Sequence, residues 1–166
     1  MNLKKTKRKG FTLVELMITI FIISIGLVGI MSLIQNTLRS ASFVRFNLTG
    51  VYLAQEGIEL VRNIRDNNWI SGRDWKDGLE ACSLGCKIAY NNTSLSSYND
   101  EFLQIDDNGF YNHNEGEESN FKRAIFINSK TDSDGREYLE VISQISWSHR
   151  GEDERIDLVD HLYNWR

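Results

Sequence analysis

Glu15 is the only charged residue among the 24 positions from Phe11 to Ile34. A carboxylate inside a membrane-length apolar segment costs about 2.5–3.5 kcal/mol even on a lenient insertion scale, so it is expected to carry a partner and a task. No base lies within a turn or two of it along the chain. The nearest is Lys9, the last of five basic residues (Lys4, Lys5, Lys7, Arg8, Lys9) that precede Gly10 and Phe11. Such a basic flank ahead of an apolar run stays in the cytoplasm.

The remaining chemistry-bearing residues are sparse. Cys82 and Cys86 are the only cysteines. On an outward-facing domain they can bridge, provided their Cα atoms lie within about 7 Å; they can also remain thiols. As half of a metal site they lack any Cys or His to complete it. Asp132-Ser-Asp-Gly135 has a faint calcium-loop look but lacks the distal Glu of that pattern, and reads as a hairpin turn. His113, His149 and His161 are scattered. The acid pairs Asp106/Asp107 and Glu117/Glu118 sit in polar stretches read as solvated loops. No HExxH, GxSxG, P-loop or GxGxxG occurs, so neither catalysis nor a cofactor is expected. Asn47, Asn91 and Asn92 each open an Asn-X-Ser/Thr triplet, a short pattern that by itself says little. Trp69, Trp75, Trp147 and Trp165 read as core or subunit contacts rather than a ligand platform.

The elements that must position these residues follow from hydropathy. Residues 16–34 hold no charge, and about 20 apolar residues span a bilayer as a helix. The basic flank sets the N-terminus inside and everything beyond about residue 38 outside. Ser40-Ala41-Ser42 faintly resembles a secretory cut site, but the apolar run before it is too long. Hydropathy alone favours a plain anchor. Val44, Leu48, Val51, Ala54, Ile58 and Val61 continue as an amphipathic stripe. Glu59–Arg62 and Arg62–Asp66 are spaced for pairing. Asp66-Asn67-Asn68 and Gly72 mark the end of a helix roughly 80 Å long. Gly26, Gly29 and Gly50 are weak points in it.

Residues 70–100 read as a loop region with room for a short helix. Strand signals follow at Phe102–Ile105, Phe110-Tyr111, Phe121–Asn128, Tyr138–Ser148 and Ile156–Leu162, separated by turns at Asp106–Gly109, Asp132–Gly135 and Arg150–Asp153. Leu139, Val141, Ser143, Ile145 and Trp147 share one face of their strand. The expected fold is α+β: a long N-terminal helix, spanning in its first half and amphipathic in its second, packed on a small antiparallel sheet. The expected divisions are 1–10, a basic flank; 11–37, a transmembrane helix; 38–68, its amphipathic continuation; and 69–166, a head with the loop region 70–100 and a sheet over 102–162. The 166 residues carry 19 basic and 23 acidic side chains; without that flank, 14 basic residues face the 23 acids, which argues against a nucleic-acid partner.

Residues 7–16, Lys-Arg-Lys-Gly-Phe-Thr-Leu-Val-Glu-Leu, resemble the processing site of type IV prepilins and of type II secretion pseudopilins. The resemblance implies cleavage after Gly10 by a prepilin peptidase, methylation of Phe11 as the new N-terminus, and Glu15 as the fifth mature residue. It implies that Glu15 registers incoming subunits by meeting the α-amine of a neighbour. Many family members kink this helix at a proline; this chain has none. Leu53–Asp66, with Trp69 and the terminal Leu162-Tyr-Asn-Trp165, resembles minor pilins more than a major pilin. The implied partners are the peptidase, other pilins, an inner-membrane assembly platform and, before assembly, the lipid bilayer. The implied location is the cytoplasmic membrane as a single-pass protein with its head outside, then a pilus or pseudopilus. Pseudopilin and competence-pilin roles stay open, as does an uncleaved tether carrying a ligand-binding or enzymatic domain.

Overall fold

The computed structural model describes residues 10–164, so the leader bases Lys4, Lys5, Lys7, Arg8 and Lys9, and Trp165, lie outside the described residues. The architecture is α+β and pilin-like. One helix, α1 (Leu13–Ile70), precedes seven strands: β1 (Cys86–Lys87), β2 (Ser96–Ser97), β3 (Phe102–Ile105), β4 (Tyr111–Asn112), β5 (Glu117–Thr131), β6 (Glu137–His149) and β7 (Glu152–Tyr163). Two compact units divide at Val44/Arg45, and each is described by itself.

In the first unit, helix residues from Leu13 onward expose apolar side chains on every face; Leu13, Phe21, Val28 and Leu38 are all more than 60% exposed. A helix apolar all round belongs inside another apolar medium. The few hydroxyls there do not break the pattern. Thr19, Ser24 and Thr37 each donate to the carbonyl four residues back, at 2.7, 2.7 and 2.9 Å, which hides the donor from its surroundings. Gly26, Gly29 and, in the second unit, Gly50 were expected to be weak points, yet the helix is α-helical through all three.

In the second unit, the expected stripe is only half right. Ala54, Ile58 and Val61 are buried, whereas Leu48 is 52% exposed; Val44, at the end of the first unit, is exposed to the same extent. The face covered by the sheet is Gly50, Leu53, Ala54, Gly57, Ile58, Val61, Arg65 and Asn68. The helix also runs past Asp66-Asn67-Asn68 to Ile70. Asn68 is no terminator: its buried amide donates to the carbonyl of Asp77 at 2.8 Å and so ties the following loop to the helix. Arg62 pairs with Glu59 as expected, but reaches Asp160 of β7 instead of Asp66, which pairs with Arg65.

All strand pairings are antiparallel. β5 is the axis of the sheet: β6 runs along one edge, while β3 and β1 share the other. Leu139, Val141, Ser143, Ile145 and Trp147 form the buried face of β6, as the alternation predicts. Two turns follow side-chain chemistry. Asp132 Oδ1 accepts the N–H groups of Asp134 and Arg136 at 2.9 and 2.8 Å, which is a turn and not a cation loop. Arg150 and Gly151, with φ of 58° and 86°, close β6 onto β7 in a two-residue hairpin, so Glu152 and Asp153 belong to the strand. Glu117 and Glu118, expected in a loop, open β5 as exposed strand residues. The sheet also exceeds its expected range, because residues 70–100 are not a bare loop. Trp75, Leu79, Cys82, Cys86, Ile88 and Ala89 are buried, and β1 and β2 extend the sheet.

Gly57 explains how close helix and sheet approach. A Cβ there would stand 2.4 Å from Ser143 Oγ and 2.8 Å from Ile125 Cδ1, whereas Gly26 has nothing within 4 Å. Overpacking costs about 1–3 kcal/mol, against a gain of about 1 kcal/mol in helix propensity. Gly57→Ala is therefore expected to lower the melting temperature of the head by about 4–8 °C for each kcal/mol lost, while Gly26→Ala leaves it unchanged or raised. Thermal unfolding followed by near-UV circular dichroism checks this contrast.

Candidate processing and assembly site

Gly10 and Phe11 precede the first helical residue, and both are exposed. The Gly10–Phe11 bond thus lies in non-helical chain, the state in which a peptidase can engage a backbone. Thr12 caps the helix. Its Oγ1 accepts the N–H of Glu15 at 3.3 Å, and its carbonyl accepts Leu16 N–H at 3.1 Å. Thr12-Leu-Val-Glu15 is the sequence pattern of a capping box, so this helix start was legible in the sequence. Capping fixes Glu15 in the first turn, where the positive end of the helix dipole favours a carboxylate. The exposed Glu15 has no cationic partner among the described residues. The same stretch therefore presents an accessible Gly10–Phe11 bond and, four residues on, an acid without a cationic partner among the described residues.

The head supplies a different set of polar groups. The structure joins Cys82 to Cys86 in a disulfide, with Cα atoms 5.3 Å apart. The bridge is buried, and the Cys82 carbonyl accepts Ile127 N–H, pinning the loop to β5. Arg123 was missed. It alternates with Phe121, Ile125 and Ile127 on the inward face of β5 and is wholly buried. Its guanidinium donates to the carbonyls of Leu53 and Ile88 at 3.2 and 2.7 Å and pairs with Glu56 at 3.1 Å. That parity was legible in the sequence. This is a structural clasp between helix and sheet. It satisfies buried carbonyls and does not form a nucleophile–base pair.

The three histidines stay apart, as expected. His149 stacks near Phe46, His161 near Tyr138, and His113 is buried with Nδ1 3.1 Å from Glu101. Among the described residues no group of His, Cys, Asp and Glu is arranged to hold a metal ion. Of the tryptophans, Trp75 and Trp147 are in the core, and Trp69 lies under the Arg65 guanidinium.

The helix-then-sheet arrangement defines a pilin-like α+β protein. A family described as the prokaryotic N-terminal methylation motif matches residues 5–31; the chain carries this type IV prepilin-like signature on its basic N-terminal stretch and the start of its apolar helix. No curated protein and no solved structure matches the chain.

Burial holds the His113 imidazole down at about 4, with the Arg123 charge adding to the effect and Glu101 opposing it. The unfolded chain, with an ordinary histidine near 6.5, binds the proton first. Stability from the neutral ring is thus complete above about pH 6.5 and is lost as the pH falls toward 4, by an amount on the order of 3 kcal/mol. His113→Gln is expected to reduce the fall in unfolding free energy between pH 7 and pH 4.5. Urea titrations of both proteins at the two pH values measure it.

Proposed function

We propose that this protein is a structural subunit of a type IV pilus-like filament, cut after Gly10 by a prepilin peptidase, methylated at Phe11, and assembled with other pilins through its N-terminal helix. The observation that carries the reading is a coincidence in one segment. The methylation motif at residues 5–31 runs into a helix, from Leu13 onward, that is exposed and apolar on every face and whose first turn holds one acid without a cationic partner among the described residues. Such a helix fits a membrane anchor before assembly; an 18-residue window within it has a mean hydropathy of 2.6. In a filament, neighbouring helices would rebury the same side chains by packing.

In this reading Glu15 meets the α-amine of Phe11 on a neighbouring subunit. Cleavage creates that amine, so processing and registration are chemically linked. Removing the leader also takes away Lys9, the nearest base along the chain. The head contributes surface and stability, with the Cys82–Cys86 bridge suited to the outer face of the membrane. A minor subunit is favoured by the likeness of Leu53–Asp66 to minor pilins, with an assembly platform in the inner membrane as a further partner.

The mature protein from its native host is expected to lack residues 1–10 and to carry one added methyl group. Intact-mass spectrometry reads both, and an intact leader in cells that hold the peptidase would favour an uncleaved tether. Glu15→Ala is expected to be processed normally yet to be absent from sheared filaments. Normal incorporation would remove the registration role.

A further inference from the structure

The head leaves one long strand edge open. Among the described residues β7 pairs only with β6, through consecutive partners from Glu152↔His149 to Tyr163↔Tyr138 without a bulge. A long regular edge is a template for another strand. The direction of its free groups can be read from His161, whose N–H turns to Asp160 Oδ1 at 2.9 Å instead of into the ladder. Inward and outward pairs alternate in an antiparallel ladder, so the odd-numbered residues of β7 aim N–H and C=O at the open side. Asp160, also held by Arg62, covers that donor at His161. The stretch from Asp153 to Val159 remains for a partner.

The side chains along this stretch specify the partner. On the outer face of the sheet, Phe126, Ile142 and Val159 lie in one cross-strand row that ends, half exposed, at the edge. The next row ends at Asp157, which accepts a hydrogen bond from Gln144 at 3.1 Å and shares its other oxygen with Arg155, also at 3.1 Å. Between the edge and α1 runs a groove of about 320 Å³ lined by Ile58, Arg62 and Leu158. β7 carries Glu152, Asp153, Glu154, Asp157 and Asp160 against a single arginine, Arg155.

We propose that β7 receives an extended basic segment of another protein by strand addition, with an apolar residue beside Val159 and a Lys or Arg beside Asp157. Backbone groups supply the pairing, and the acidic edge selects the charge of the incoming strand. The same charges disfavour a second copy of this chain. Antiparallel pairing centred on Asp157 would set Asp157 against Asp157 and Glu154 against Asp160. The proposal uses head residues alone and does not depend on the filament reading.

The test uses the full chain in detergent with two short peptides, one alternating Lys and Val, the other Glu and Val. The Lys–Val peptide is expected to bind, more weakly as salt rises, and to slow hydrogen exchange at alternate amides of β7. Val159→Pro removes one outward donor without touching the β6 ladder, and is expected to weaken binding about fivefold. Asp157→Lys keeps the backbone donor and is expected to weaken binding by repulsion. Equal binding of the Glu–Val peptide, no binding of the Lys–Val peptide, protection outside β7, unchanged affinity of Asp157→Lys, or a β7-paired dimer of the chain alone would each overturn the proposal.

Discussion

An apolar helix with no covered face cannot remain in water, and this single constraint orders the rest of the molecule. Between Leu13 and Leu38 nothing among the described residues buries these side chains. Its surroundings must do so. A bilayer satisfies the apolar surface but leaves the carboxylate of Glu15 costly. A bundle of like helices satisfies both if it brings a cation to the first turn. The Thr12 cap is part of that solution, because it holds Glu15 at a defined place beside the chain terminus that cleavage would create.

The second unit solves a different problem with the continuation of the same helix. There one face is covered by a sheet, and the approach is close because glycine occupies positions 50 and 57. Trp147 fills the space over Gly50, and Arg123 reaches from β5 to the Leu53 carbonyl and to Glu56. A buried arginine is costly unless its donors and charge are matched; two carbonyls and one carboxylate match most of them here. The clasp also ties in Ile88, so the segment after the disulfide is fixed to the helix–sheet interface by the same side chain.

The sequence made the first unit and the large strands readable for simple reasons. A charge-free run is unambiguous, and the alternation from Leu139 to Trp147 matches the period of a half-buried strand. The N-terminal methylation motif at residues 5–31 was equally plain. What escaped reading depended on contacts distant in sequence. Gly50 read as a defect because the indole that needs its missing side chain lies 97 residues away. Leu48 read as core because it is apolar and on period, although the sheet covers a neighbouring face defined partly by two glycines and Asn68. The order in residues 70–100 comes from a few buried anchors, such as Trp75 and Leu79, which no short-range period announces.

In the proposed filament the acid of one subunit faces the trimmed terminus of the next. Carbodiimide coupling in assembled filaments measures this directly, because it joins a carboxylate to an amine only where the two already touch. With filaments assembled from a mixture of isotopically light and heavy subunits, the account predicts a Glu15–Phe11 cross-linked peptide that pairs light with heavy. Filaments in which Glu15 couples only within its own chain, or never to Phe11, would contradict it.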